Sequence, residues 1–78
     1  MARVRFFAAA EEAAGREEEI RSEVDLASLR AGLGADHPGL AAILPLCAVL
    51  VAGSRREDPT TPLDADTIVD VLPPFAGG

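Results

Sequence analysis

The chain lacks tryptophan and tyrosine, so its three phenylalanines are its only large aromatic residues. Its core must therefore be built from Val, Leu, Ile, Ala and these phenylalanines. Cysteine is also scarce. The single cysteine cannot form an internal disulfide and cannot by itself bind zinc or an iron–sulfur cluster. We expect no bound metal and no bound cofactor, and a lone thiol fits a reducing compartment.

The chain has only seven basic residues and thirteen acidic residues, which gives it a net charge of −6. Nucleic acids and anionic membranes repel such a surface, so neither is expected as a partner. No apolar run reaches the roughly 18 residues of a membrane helix, and the first residues lack the apolar stretch of a signal peptide. We expect a cytoplasmic protein. At 78 residues, it should form one small domain without a deep catalytic cleft.

Strands are predicted near both ends and in the middle. From residue 2 to residue 8, Val4 and Phe6 alternate with residues of the other face, which is typical of a half-buried strand. The same alternation recurs in "TIVDVL", where Val69 and Val71 share one face. The apolar run "LCAVLVAG" at 46–53 predicts a strand covered on both faces or nearly so.

The first half of the chain also predicts one short helical turn, one strand and one main helix. "AAAEEAAG" favours a helical turn closed by Gly15. Residues 16–25 alternate as a second strand, antiparallel to the first. Asp25 stands where the N-cap of a helix should be, leucines follow at helical spacing, and Gly34 is the expected C-cap.

The remaining segments are a short helical piece at 40–44 and the polar stretch "SRREDPTTP", predicted as a loop with at most one edge strand. The order is then strand, strand, helix, strand, loop, strand. This order predicts an α+β fold of the β-grasp, ubiquitin-like kind, with a mixed sheet of four to five strands and one main helix across it. The last strand should enter beside the first. Residues 1–72 are the expected domain, and residues 73–78 an extended reactive tail.

The last six residues are unusual for a chain end. Pro73 and Pro74 lack backbone N–H groups, so they should stop the sheet at Leu72 and stiffen the residues after it. Gly77 and Gly78 have no Cβ and could pass through a narrow channel. The tail, which also contains Phe75 and Ala76, then presents a carboxylate at its tip.

A terminal carboxylate is an anion at neutral pH and a poor electrophile, because its ordinary pKa is roughly 3.3–3.7. Condensation with ATP would convert it to an acyl-adenylate, a mixed anhydride with a good leaving group. A sulfur nucleophile could then displace AMP and leave a thiocarboxylate on Gly78.

Three segments together resemble the small subunit of molybdopterin synthase, a ubiquitin-like sulfur carrier: "VRFFAAAEEAAG", "LCAVLVAG" and "LDADTIVDVLPPFAGG". The resemblance implies that Gly78 is adenylated by a ubiquitin-activating-type adenylyltransferase, which uses ATP, and is then sulfurated. The tail would enter the large subunit and donate sulfur to precursor Z for the molybdopterin dithiolene. The chain would be a co-substrate rather than an enzyme, with the catalytic site on the large subunit.

Two alternatives remain open. The activated terminus could instead be joined to lysines of target proteins, as in a ubiquitin-like modifier, or serve sulfur transfer for thiazole or cysteine synthesis. Thiazole carriers usually lack the Pro-Pro pair, which favours molybdopterin. The chain departs from the family at two turns: Asp66 stands where Gly is usual and can adopt a left-handed conformation at some cost relative to Gly, and Ala52 stands where Asn is common.

A docking surface is predicted at Phe7, Leu72 and Phe75, which should share an edge of the fold near the base of the tail. Other residues invite a functional interpretation but have a simpler one. Cys47 is expected to pack as a small hydrophobe, and His37 to be a solvated turn residue.

Two runs of charged residues are the remaining candidates for a functional site. The run Glu17 to Glu19 could hold a cation, but a solvated strand end is the simpler interpretation. Arg55 and Arg56 could grip carboxylates of a partner, although loop charge is the default.

Overall fold

Five strands form one mixed sheet in the structure, a computed structural model that describes residues 1–74. The strands are β1 (Ala2–Phe6), β2 (Glu18–Arg21), β3 (Ala48–Val51), β4 (Ser54–Arg55) and β5 (Ile68–Leu72). Their order across the sheet is β2-β1-β5-β3-β4. β5 runs parallel to β1, and the other neighbours are antiparallel. The predicted β-grasp fold is confirmed, including the entry of the last strand beside the first and the short edge strand β4.

The helical segments described are α1 (Ala9–Ala14), α2 (Leu26–Asp36), α3 (Pro38–Ile43) and a 3-10 turn (Leu44–Leu46). Gly15 closes α1 with a left-handed φ of 78°, as predicted. The Asp25 side chain caps α2 by accepting a hydrogen bond of 2.8 Å from the backbone N–H of Ser28. The predicted N-cap is therefore confirmed. With 11 residues, α2 is the longest of these helices.

The core lies between the sheet and the helices. Alternate residues of β1 and β5 point into it, and the leucines of α2 and α3 cover them. The buried residues are Ala2, Val4, Phe6, Ala10, Leu26, Leu29, Leu33, Leu40, Leu44, Cys47, Val49, Val51, Leu63, Val69 and Val71. Leu, Val and Ala form most of this core, as expected, but Phe6 is its one phenylalanine among residues 1–74, and Phe7 and the isoleucines lie outside the fully buried set. The opposite face of the sheet is free of helices in the part described.

The predicted C-cap at Gly34 is wrong, because α2 continues through it to Asp36. The helix ends at His37, whose backbone N–H donates to the Leu33 carbonyl at 2.9 Å. A Cβ on Gly34 would lie 3.4 Å from the Cβ of Ala41. Gly34 therefore lies where α2 packs against α3, at a distance where a methyl group would make an ordinary contact.

The second strand is shorter than the predicted range 16–25, and its apolar residue faces solvent. Ile20 is 54% exposed on the face of the sheet that lies away from the helices. Its neighbours Glu19 and Arg21 are half-buried on the helical side. This inversion is possible because their charges are neutralised there by other side chains.

The hairpin between β3 and β4 has a two-residue turn. Val51 pairs with Ser54, and the residues between them, Ala52 and Gly53, have φ values of 52° and 84°. Two successive positive φ values define a type I′ turn, which favours Asn-Gly. Ala52 therefore holds a left-handed conformation that Asn would adopt more readily.

Asp66 does not adopt the left-handed conformation that is open to it at this turn. Among residues 1–74, Ala8 and Ala52 are the non-glycine residues with positive φ. The turn before β5 is instead organised by Asp64, whose Oδ1 accepts hydrogen bonds from the Asp66 N–H at 3.1 Å and from the Thr67 hydroxyl at 2.8 Å. A side-chain acceptor thus holds this turn without a positive φ at Asp66.

Candidate functional site

The tail begins at the end of the central strand. β5 is paired on both sides, with β1 and with β3, and its last residue, Leu72, lies opposite Ala48. The strand stops at Leu72, as the two prolines predict. Pro73 is buried and Pro74 is exposed. Phe75, Ala76, Gly77 and Gly78 lie outside the described residues, so their functional roles stay predictions.

Two of the three predicted docking residues lie together at the base of the tail. The backbone N–H of Phe7 donates to the Val71 carbonyl at 3.2 Å, which continues the pairing of β1 with β5. Since Phe6 and Val71 point into the core, Phe7 and Leu72 lie on the face away from the helices. Phe7 is 38% exposed and Leu72 is half-buried. The two side chains therefore offer an apolar surface where the tail leaves the fold.

An ion pair borders this apolar surface. Arg5 donates to Asp70 through two hydrogen bonds of 2.6 and 3.0 Å, and its Cζ lies 5.9 Å from the centroid of the Phe7 ring. The hydrogen bond and the charge of Asp70 raise the pKa of the Arg5 guanidinium above its ordinary value. Apolar side chains beside a neutralised ion pair are suited to docking a protein rather than to proton transfer. Sequence reasoning missed this pair, because only the β1–β5 register aligns "RVRFF" with "IVDVL".

Cys47 has the packing role predicted for it. Its side chain is buried, and its Sγ lies 3.3 Å from the Ile43 carbonyl, to which it donates. Burial raises the pKa of the thiol above its ordinary value, although the charge of Arg30 opposes the shift. The side chain is therefore a neutral thiol at neutral pH and a poor nucleophile.

The prediction that His37 is a solvated turn residue is wrong. Its Nε2 lies 2.8 Å from Glu19 Oε1, and its ring contacts Phe6 edge to face, with ring centroids 6.2 Å apart. Glu19 is likewise half-buried, so the interpretation of residues 17–19 as a solvated strand end holds for Glu17 and Glu18 alone. No local pattern indicates this contact, because it joins β2 to the residue between α2 and α3.

Arg21 lies at the centre of a group that we call the Arg21 cluster, formed by Glu19, Arg21, Glu23, Asp36 and His37. Arg21 donates to Glu19 at 2.6 Å, to Asp36 at 2.7 Å and to both oxygens of Glu23 at 2.6 and 3.0 Å. The resulting fork of bonds links β2, the loop after it and the end of α2.

The charges in the Arg21 cluster shift each other's pKa values. The hydrogen bonds that Arg21 donates to Glu23 are the largest cause that raises the pKa of Arg21, and the same bonds lower the pKa of Glu23. Burial alone would raise the pKa of Glu19, but hydrogen bonds from Arg21 and His37 outweigh it and leave that pKa below its ordinary value. Arg21, Glu19 and Glu23 are therefore charged at neutral pH, and the shifts of their pKa values have a structural cause.

Neither a metal site nor a membrane span is found in the part of the chain that the structure describes. Within residues 1–74, no three His, Cys, Asp or Glu side chains are grouped so that they could hold a metal ion. The helices described there are also too short and too polar to cross a bilayer.

The ThiS family model matches residues 4–78, which is nearly the whole chain. A comparison with curated protein sequences found no match. Among solved structures, a chain of the protein–protein complex of subunits 1 and 2 of molybdopterin-converting factor from Helicobacter pylori is similar, with 30% identity and a TM-score of 0.76. That similarity covers 99% of this chain and 97% of the other.

Two more distant structures share the fold. The small archaeal modifier protein 1 from Methanosarcina acetivorans has 23% identity and a TM-score of 0.86, over 99% of this chain and 95% of the other. The putative molybdopterin converting factor subunit 1 from Pyrococcus furiosus has 19% identity and a TM-score of 0.79, over 94% and 95% of the two chains. With its β-grasp sheet and its near-complete family match, the chain belongs to the ThiS family of ubiquitin-like sulfur carriers.

Proposed function

We propose that the chain is the sulfur carrier subunit of a molybdopterin synthase. The observation that carries the proposal is the end of β5, where the central strand stops at two prolines and Phe-Ala-Gly-Gly comes next in the sequence. The exposed Phe7 beside Leu72 adds a surface through which an enzyme could hold the base of the tail. The similarity to a chain from a complex of subunits 1 and 2 of molybdopterin-converting factor supports a large subunit as the partner.

The reaction begins at the Gly78 carboxylate. In a ubiquitin-activating-type adenylyltransferase, a carboxylate oxygen attacks the α-phosphate of ATP, which releases pyrophosphate and forms the acyl-adenylate. A sulfur nucleophile at the sulfide level, HS⁻, then attacks the carbonyl carbon, so that a C–S bond forms, the bond to AMP breaks and a proton is lost, which leaves the thiocarboxylate. In the large subunit, the thiocarboxylate sulfur passes to precursor Z, and the carboxylate is regenerated with oxygen from water. The carrier returns unchanged to the activating enzyme.

The length of the tail tests this proposal. One additional alanine after Gly78 would move the reacting carbon about 3.3–3.6 Å along a channel. A displacement of only about 1 Å can lower a rate on the order of 10²-fold. Removal of Gly78 should fail equally, because the carboxylate then falls short. Both variants should keep the wild-type unfolding temperature, since the change lies beyond the last strand.

The assay is ATP–pyrophosphate exchange with the cognate activating enzyme, followed by intact-mass analysis for the exchange of oxygen by sulfur. Normal activity from either variant would contradict the proposal. Transfer of the sulfur to precursor Z by the large subunit then separates this function from thiazole or cysteine synthesis.

Conjugation to target proteins is the remaining alternative, and an immunoblot for larger species tests it. All seven basic residues of the sequence are arginines, so these 78 residues contain no lysine side chain. A ladder of conjugates would therefore report several modified sites on a target rather than chains linked through the carrier's own lysines.

A further inference from the structure

The arginines of the chain fall into two groups. Four of them form ion pairs with carboxylates of the chain: Arg3 with Glu18, Arg5 with Asp70, Arg16 with Glu19, and Arg21 with three partners. The other three are Arg30, Arg55 and Arg56. Within residues 1–74, Arg30 and Arg56 form no ion pair, and Arg55 has one of 3.7 Å with Glu57 in which both side chains are strongly exposed. An exposed pair of this length contributes little, and the same holds for the pairs of Arg3 at 3.7 Å and Arg16 at 3.6 Å, so Arg5 and Arg21 are the firmly paired arginines.

These three arginines converge on one groove, which we call the arginine groove. Arg30 comes from α2, Arg55 ends β4 and Arg56 follows it. They line a space of about 250 Å³ together with residues 45–49 and Glu57. One carboxylate therefore lies among three guanidinium groups, in a chain whose net charge is −6. The positive charge that the chain does not neutralise for itself is concentrated at this place.

The groove is close to the base of the tail. Ala48, which lines it, is the partner of Leu72 in the pairing of β3 with β5. On the other side of β3, the backbone N–H of Arg56 donates to the Val49 carbonyl at 3.1 Å. Neighbouring strands lie about 4.8 Å apart, so the edge that carries the two arginines is roughly 10 Å from β5. A protein that holds the tail at Leu72 therefore reaches the groove without a large interface.

Carboxylates match this groove better than other anions that a partner could offer. The planar guanidinium fork accommodates a carboxylate in a two-bond geometry, and several such side chains can bind successive acidic residues. The negative charge on the rest of the chain repels an acidic segment elsewhere, so it also directs that segment to this position. A nucleic acid would need many more phosphate contacts than three arginines provide.

We propose that the arginine groove binds an acidic segment of the protein that holds the C-terminal tail. The proposal rests on the proposed function, in which that protein is the large subunit. The proposal assigns to Arg55 and Arg56 the binding of a partner's carboxylates that their sequence suggested. It adds Arg30, which comes from a distant part of the chain.

The first experiment requires no partner. The side-chain Nε–Hε signals of the seven arginines are followed by NMR while hexaglutamate is added, and separately while inorganic phosphate is added. Hexaglutamate should shift the signals of Arg30, Arg55 and Arg56 most, shift those of the weakly paired Arg3 and Arg16 less, and leave those of Arg5 and Arg21 nearly unchanged. Equal shifts at all seven, or shifts with phosphate and none with the peptide, would overturn the proposal.

The second experiment titrates the purified large subunit with the full chain. The double variant Arg55→Gln/Arg56→Gln should bind about fivefold to thirtyfold more weakly and lose part of the salt dependence of binding. The matched control, Arg3→Gln/Arg16→Gln, changes the net charge equally and should bind within about twofold of the wild type. If both double variants bound the large subunit equally weakly, the loss of affinity would come from the net charge, and the proposal would be overturned.

The two experiments also separate the proposals. If the wild-type chain does not bind the large subunit at all, the proposed function fails, and the hexaglutamate titration still decides for or against the groove. If the wild type binds and the Arg55→Gln/Arg56→Gln variant binds equally well at every salt concentration, the proposed function stands and the groove proposal is wrong. Unfolding temperatures of both doubles confirm that the fold is retained.

Discussion

Replacing Arg21 by methionine should remove a large part of the protein's stability. The side chains of Glu19 and Glu23 are only 9% and 19% exposed, whereas that of Asp36 is 59% exposed. Removing one partner of a buried pair is destabilising by about 3–5 kcal/mol. Because some exposure remains and Glu19 keeps its contact with His37, we expect a loss of about 2–4 kcal/mol. A chain of this length has a free energy of unfolding of about 4–12 kcal/mol in total.

The assay is thermal and urea unfolding followed by far-UV circular dichroism, because the chain has no tryptophan or tyrosine for fluorescence. The expected decrease in unfolding temperature is roughly 10–30 °C. Arg21→Lys keeps the positive charge but loses the multiple hydrogen bonds of the guanidinium. Its unfolding temperature should lie between those of the wild type and the methionine variant. Adding Glu19→Gln and Glu23→Gln to the methionine variant should restore part of the loss. A methionine variant within about 3 °C of the wild type would refute this account of the Arg21 cluster.

The pH dependence gives a second test with a definite sign. In the wild type, the pKa values of Glu19 and Glu23 lie below the ordinary 4.5, so their contribution is present above that pH and is lost as the pH falls through the folded pKa values. Without Arg21, its hydrogen bonds no longer lower the two pKa values and burial still raises them, although Glu19 keeps its bond with His37, so the unfolding free energy should increase much less than in the wild type as the pH rises to 4.5. The other carboxyl groups with shifted pKa values contribute equally to the stability of both proteins. The difference between the two pH profiles of the unfolding free energy therefore reports on the Arg21 cluster. Equal pH slopes would contradict the reasoning.

Four further changes test other parts of the structure. Gly32→Ala should give none of the usual gain of about 1 kcal/mol, because the new methyl group collides with the Glu23 carboxylate; a full gain in urea unfolding would show that this carboxylate is not fixed there. Ala52→Asn should raise the unfolding free energy by about 0.5–1 kcal/mol through the type I′ turn, and a decrease would speak against the left-handed conformation. Phe75→Asp should weaken binding to the large subunit by several kcal/mol while the fold is kept, and unchanged affinity would exclude a docking role. Pro74→Gly should leave the unfolding temperature nearly unaltered but slow sulfur transfer, because ordering a more flexible residue in the channel costs about 1–2 kcal/mol in conformational entropy. A wild-type rate of sulfur transfer would mean that the stiffness of the tail serves another purpose.

The elements that could be predicted from the sequence are those in which local pattern and tertiary environment agree. The alternation of β1 and β5, the cap at Asp25 and the stop at Leu72 follow from short-range chemistry and are found in the structure. Gly34 misled the prediction because a glycine can lie within a helix, here where α2 packs against α3, as well as at its end. Its sequence neighbours do not distinguish the two positions.

The charged residues show the opposite case. The free-energy cost of half-burying His37 or Arg21 is offset only when side chains of other elements neutralise or hydrogen-bond it. Those partners are distant in the sequence. The tail could be predicted as the candidate site because its chemistry lies in six consecutive residues. The ion pair of Arg5 with Asp70 and the approach of Arg30 to Arg55 could not, because both depend on the register and the packing of separate elements.

The position of β5 determines how the fold responds when the tail is pulled. Because β5 is hydrogen-bonded to β1 on one side and to β3 on the other, a force along the tail loads two ladders in shear at once. An edge strand in the same place could be peeled away one hydrogen bond at a time. In the proposed function, the tail is withdrawn from one enzyme and inserted into another, and the pairing of β5 on both sides would let the tail be released while the carrier stays folded.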